Sequence, residues 1–151
     1  MRVESVTVTP DAVEAVLRFE PDEPLRTSEV PGLVDAVLRA LPGLSGHRCE
    51  NDAGLTFAEE LRDTEVAHLV EHATLEVMAM AGSPSTLHGA TSWDFAADGR
   101  GVFRLRLACD DDLVAIGALR CATEITRAIA GGEVPPDAAA EARRLRRLRT
   151  T

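Results

Sequence analysis

From Asp63 to Ala81 the chain carries neither glycine nor proline. Within this stretch Val66, Leu69, Val70, Ala73, Val77 and Met80 recur at helical spacing and form an apolar stripe wide enough to seat a helix on a sheet. The spacing predicts a helix that starts at Asp63 or Thr64, both good N-cap residues, and stops at Gly82. His68, Glu71 and His72 fall on roughly the opposite side, together with Leu75, Met78 and Ala79. That second side is therefore not a plain solvent face.

The elements around this helix are short. Residues 3–9 alternate apolar and polar and read as a strand ended by Pro10, and residues 13–19 fit a second strand or a short helix. The Pro-containing segment 21–31 is a loop. Residues 32–41 show helical spacing and stop at Pro42-Gly43. Residues 44–57 hold a short extended piece around His47 and Cys49, then an Asn51-Asp52-Ala53-Gly54 turn. Strands are expected near 87–95 and 101–108, joined at Ala97-Asp98-Gly99-Arg100. Asp110-Asp111-Asp112 suit the positive end of a following helix, which ends at Gly131-Gly132. After Pro135-Pro136, residues 137–149 form a final Arg-rich helix. Hairpin strands with separate helices give an α+β fold, an antiparallel sheet with helices packed on one side. We expect a domain over residues 1–136 and an Arg-rich helix or tail over 137–151.

Composition narrows the function. The net charge is −9, with all basic residues arginine and no lysine, a bias that looks like a GC-rich bacterial genome. Residues 141–151 hold five arginines against Glu141, so the body is more acidic than the whole. An acidic body argues against general nucleic-acid binding, which depends on neutralising phosphates. It suits a cationic, Arg-containing ligand or simply a solvated surface. No apolar run approaches a membrane span, and the first twenty residues lack a signal-peptide pattern, so a cytoplasmic protein is expected. Cys49, Cys109 and Cys121 contain no C-x-x-C pair, which argues against a disulfide framework or a Cys-rich zinc knuckle. Cys109 and Cys121 read as small core residues, and His88 and Trp93 carry no assigned chemistry.

Chemistry concentrates at His68-Leu-Val-Glu71-His72. Positions i, i+3 and i+4 share one side of a helix. The H-x-x-E-H order is that of inverted zincins, in which the two histidines hold zinc and the Glu takes the proton of the attacking water. The bland alternative is a pair of half-exposed histidines bonded to backbone. A catalytic zinc needs a third protein ligand. Glu76 sits about 12 Å along the axis from His68, too far for one ion to span i, i+4 and i+8, so it is assigned to orienting His72. Asp112 or its neighbours, His47 and Glu124 are the alternatives for the third ligand. The arginines at 143–149 read as a solvated helix end, with partner docking as the other role.

Beyond the pentapeptide, several segments together resemble the N-terminal domain of cyanophycin synthetases. They are Leu41-Pro42-Gly43-Leu44 with His47-x-Cys49, the run from Gly54 through Phe57 and Arg62 to Thr64, the helix His68–Glu76, and Gly101-Val102-Phe103 leading to Asp110–Asp112. The resemblance covers about residues 32–130. It implies a domain that elsewhere precedes ATP-grasp and Mur-ligase-like modules building an Arg-decorated poly-aspartate. That domain holds polymer and, in some members, is similar to a zinc metallopeptidase. On this resemblance His68 and His72 are zinc ligands, Glu71 is the general base, Asp112 is the first choice of third ligand and His47 the second. Residues 1–151 hold neither ATP-using module, so a hydrolase or a binding and scaffolding module for an Arg-rich polymer or a partner synthetase is expected, not a synthetase. His88-Gly89-Ala90-Thr91 lacks the arginine of the family's Gly-x-Thr-Arg stretch, and the family's N-terminal Arg-Gly-Pro-Asn segment is missing.

Overall fold

The computed structural model describes residues 1–49 and 53–149. Strands β1 (Arg2–Val8) and β2 (Ala12–Arg18) form a hairpin, with a register irregularity between Val3 and Ser5. Helix α1 spans Leu33–Ala40, and a short 3-10 turn spans Pro42–Gly46. A one-turn α2 (Phe57–Glu60) precedes α3 (Val66–Met80). Strand β3 (Gly89–Ser92), the one-turn α4 (Phe95–Asp98), strand β4 (Val102–Ala108) and the long α5 (Asp112–Ala130) follow, then α6 (Ala138–Arg149). The strands pair antiparallel throughout in the order β1-β2-β4-β3. The expected α+β architecture is what the chain adopts.

Alternation in the two central strands decides which face is covered. Val13, Ala15 and Leu17 of β2 and Phe103, Leu105 and Leu107 of β4 are buried. Glu14, Arg104 and Arg106 point to the other face, where Arg106 pairs across the strands with Glu14 at 2.8 Å. α3 and α5 pack together over the buried face, and α6 closes the helical layer through Ala138, Ala142 and Leu145. Gly117 of α5 permits this approach. A Cβ there would lie 2.3 Å from Leu145 Cδ2.

Three expectations change in detail. The motif helix begins after Glu65, which makes no side-chain cap; Asp63 is drawn to the Arg26 guanidinium and Ser28, and the Thr64 hydroxyl turns toward Glu65 and His68. A tertiary partner has outcompeted the local cap. The strand expected over 87–95 is cut to Gly89–Ser92 because Asp94 accepts from the amides of Ala96 and Ala97, both at 3.1 Å, and caps α4. The ambiguous segment at 13–19 is a strand, fixed by β1 on one side and β4 on the other. In the expected turn at 51–54, Asn51 and Asp52 lie outside the described residues.

Candidate metal centre

α3 is buried on most of its circumference. Its apolar stripe packs toward α5, yet Glu71 and His72, on the other side, are only 4% and 5% exposed. Burial of an ionisable pair is costly unless other groups compensate. The compensating groups come from three separate elements.

Phe57 of α2 is the platform. Its ring stacks on His72 with centroids 3.7 Å apart and planes 15° from parallel, and it meets the edge of His68 at 5.4 Å. Thr56 holds Phe57 in place by capping α2, with Glu59 reciprocating at the Thr56 amide. The two motif imidazoles converge, with centroids 4.8 Å apart.

The segment after the Pro42–Gly46 turn brings His47 and Cys49 to the same place. Cys49 Sγ lies 3.4 Å from His68 Nε2, while the other nitrogen of His68, Nδ1, is 2.9 Å from the Thr64 hydroxyl. His47 Nδ1 is 3.0 Å from His72 Nδ1, and His47 Nε2 is 2.8 Å from Glu76 Oε2.

Strand β3 supplies the third side. The Thr91 hydroxyl donates to Glu71 Oε2 at 2.5 Å. Gly89 leaves room for this carboxylate, since a Cβ there would sit 2.8 Å from both Cγ and Oε1 of Glu71. Burial pushes the Glu71 carboxyl above its ordinary range, and Glu60 adds to the rise; the Thr91 hydrogen bond, His68 and His88 pull it back. His72 is pushed down to about 3 by burial, reinforced by the neighbouring His68 and His47. It is a neutral ring at physiological pH.

The three imidazoles, Cys49, Glu71, Glu76 and Thr91 line a cleft of about 1310 Å³. Its carboxylates are Glu60, Glu65, Glu71 and Glu76, against Arg48 as the arginine among the described lining residues. Glu60 Oε2 is buried with no hydrogen-bond partner among the described residues.

One group of potential metal ligands stands out among the described residues: Cys49, His68 and His72, whose ligand atoms all lie within 4.8 Å of one another. The donor chemistry suits zinc. A thiolate at ~2.3 Å and an imidazole nitrogen at ~2.0 Å from one tetrahedral ion stand about 3.5 Å apart, close to the Cys49–His68 separation. Three protein donors would leave one position of a tetrahedral ion open.

The sequence-derived candidates are distributed unevenly around this centre. His68, Glu71 and His72 are brought together as the helical spacing implies. His47 and Glu76 lie beside them, bonded to each other. Asp112 is exposed in the first turn of α5 and does not line the cleft, and Glu124 is exposed farther along the same helix. Cys49 and Thr91 carry no assigned role in the sequence. The only signal for Cys49 is its place in the His47-x-Cys49 segment, and for Thr91 its place in Gly89-x-Thr91.

Comparison with known proteins relates the chain's sequence to one family. The chain is 37% identical to the cyanophycin synthetases of Trichormus variabilis and of a Nostoc species, each over 57 residues, covering 37% of this chain and 6% of the relative. A cyanophycin synthetase of Geminocystis herdmanii is 36% identical over 56 residues, 36% of this chain and 6% of its own. The matched segment is therefore a small fraction of those long proteins. No helix among the described residues is long and apolar enough to cross a membrane. The family model for the cyanophycin synthase-like N-terminal domain matches residues 14–131, most of the chain, and the protein belongs to that family.

Proposed function

We propose that this domain is a zinc-dependent hydrolase of a peptide or isopeptide-type amide, with Cys49, His68 and His72 as metal ligands and Glu71 as general base. The observation that carries the reading is the convergence of a thiol and two imidazoles on one side of an open cleft, with a buried carboxylate beside them. Bound zinc would polarise the scissile carbonyl and lower the pKa of water at the open position to roughly 7. The chain's own groups do the rest. Thr91 occupies Oε2 of Glu71, which leaves Oε1, beside Gly89, to receive the proton of the attacking water. Burial raises the affinity of that carboxylate for the proton and so improves its match to a base working near neutrality. The same carboxyl then returns the proton to the departing amine. Cys49 takes the third-ligand place first assigned to Asp112, on the ground that it adjoins His68.

The cleft's carboxylates favour a substrate that carries cationic groups, and the relatives' name points to a cyanophycin-like, Arg-bearing polymer. On this reading residues 1–136 form the domain that carries the site and 137–151 an Arg-rich helix or tail, within which α6 packs against α5. Purified protein is expected to hold stoichiometric zinc and to cleave such a polymer. Glu71→Gln should keep the zinc and lose cleavage, while His68→Ala/His72→Ala should lose both. Absence of zinc from the wild type, or equal zinc in the double variant, defeats the proposal.

The unpartnered Glu60 oxygen and its acidic neighbours also support a second reading, a non-catalytic module that grips an Arg-rich polymer or a partner synthetase. Salt-sensitive polymer binding with no turnover, unchanged in Glu71→Gln, would select it.

A further inference from the structure

Resting on the metal-binding reading, we propose that His47 and Glu76 are positioning residues that lock His72 in the tautomer presenting Nε2 to the metal. The chain of hydrogen bonds fixes each proton in turn. An ionised carboxylate only accepts, so the ring nitrogen 2.8 Å from Glu76 Oε2, His47 Nε2, carries a hydrogen. In the neutral imidazole the other nitrogen, Nδ1, is then an acceptor. It stands 3.0 Å from His72 Nδ1, and two ring nitrogens at that distance need one hydrogen between them. With His47 neutral, His72 supplies it. His72 therefore holds its proton on Nδ1 and leaves Nε2 with a free lone pair. A ligating histidine that donates its other N–H to an orienting partner is the usual support for a metal ligand.

Packing independently holds both ends of this chain. Phe57 lies flat on the His72 ring and fixes its plane. The Glu76 carboxylate rests against the backbone at Gly43, where a Cβ would stand 1.9 Å from Oε1. The sequence suggests that Glu76, one turn after His72, orients that ring directly. The structure instead inserts His47 between them. Both nitrogens of His47 are taken up by this chain, which separates it from the ligand cluster of Cys49, His68 and His72.

Long-range proton–nitrogen NMR correlations of the imidazole rings in metal-free protein test the tautomer, and competition titration with zinc tests its consequence. Wild-type His72 should carry its proton on Nδ1. His47→Phe, which keeps a ring but removes the acceptor, should move the proton to Nε2 and weaken zinc binding about ten- to a hundredfold. Glu76→Ala should change both readouts in the same direction, and it serves alone if His47→Phe does not fold. A wild-type His72 protonated on Nε2, a His47 signal that shifts like a ligand's on adding zinc, or full zinc affinity in both variants overturns the assignment. Should wild-type protein fail to bind zinc, the metal reading falls, and the metal-free tautomer still decides this one.

Discussion

Thr91→Val probes Glu71, the proposed general base, without touching a proposed metal ligand. Valine is nearly isosteric with threonine and suits a strand, so β3 should keep its pairing with β4. The substitution removes the 2.5 Å hydrogen bond to Glu71 Oε2, a bond from a neutral donor to a buried carboxylate. Bonds to charged groups contribute about 1.5–3 kcal/mol. Because Glu71 also lines the cleft, water can partly replace the lost hydroxyl, and the lower end, about 1.5 kcal/mol, is expected near neutral pH.

The pH dependence gives this prediction its sign. The folded Glu71 carboxyl binds its proton more tightly than the unfolded one. Its contribution is thus fully stabilising below the unfolded value of 4.5 and is lost as pH rises through the higher folded value. The Thr91 bond limits that loss by favouring the ionised form. Urea unfolding of metal-free Thr91→Val and wild type at several pH values should therefore show a deficit that grows as pH rises through this range. Thr91→Ser, which keeps the hydroxyl, should restore most of it. A deficit independent of pH, or none at neutrality, would refute the claim that Thr91 supports the ionised carboxylate.

Other consequences are equally accessible. His72 is held neutral, with its folded value near 3 against an ordinary 6.5, so the unfolded chain binds the extra proton between those values. Metal-free protein should lose stability from this ring as pH falls through that window, and His72→Phe should flatten the slope measured by urea unfolding. Gly43→Ala should force the Glu76 carboxylate aside. Because the displaced group is the end of a flexible side chain, thermal unfolding should change by less than about 1 kcal/mol, whereas zinc affinity should fall at least tenfold, about the minimum loss for a damaged supporting bond. Leu145→Ala should cost about 2–5 kcal/mol in chemical denaturation, since the side chain is fully buried against α5 at Gly117. A negligible cost would mean that α6 does not brace the fold.

The sequence by itself determined most of the longer elements and part of the candidate site. The strand over Val3–Val8 forms by pairing with β2, although its side chains stay largely exposed. Alternation in Val102–Leu107 survives because β4 has one face to bury, and helical spacing from Val66 to Met80 survives because its apolar stripe packs toward α5. The same periodicity put His68, Glu71 and His72 on one side of a helix, since i, i+3 and i+4 meet there whatever the fold. Element boundaries were less legible, because Asp63 is drawn to Arg26, a partner that only folding brings near, and because Asp94 makes a local cap that cuts the expected strand short. The remaining site groups come from other elements: Cys49 and His47 from the segment after a 3-10 turn, Phe57 from a one-turn helix, and Thr91 from the edge strand β3. No spacing rule links such positions. The family resemblance made Asp112 the first choice of third ligand, but α5 leaves that residue exposed and outside the cleft, while the segment after the Pro42–Gly46 turn carries Cys49 to His68. Helical periodicity could place two imidazoles together; only the packing of separate segments could choose the thiol beside them.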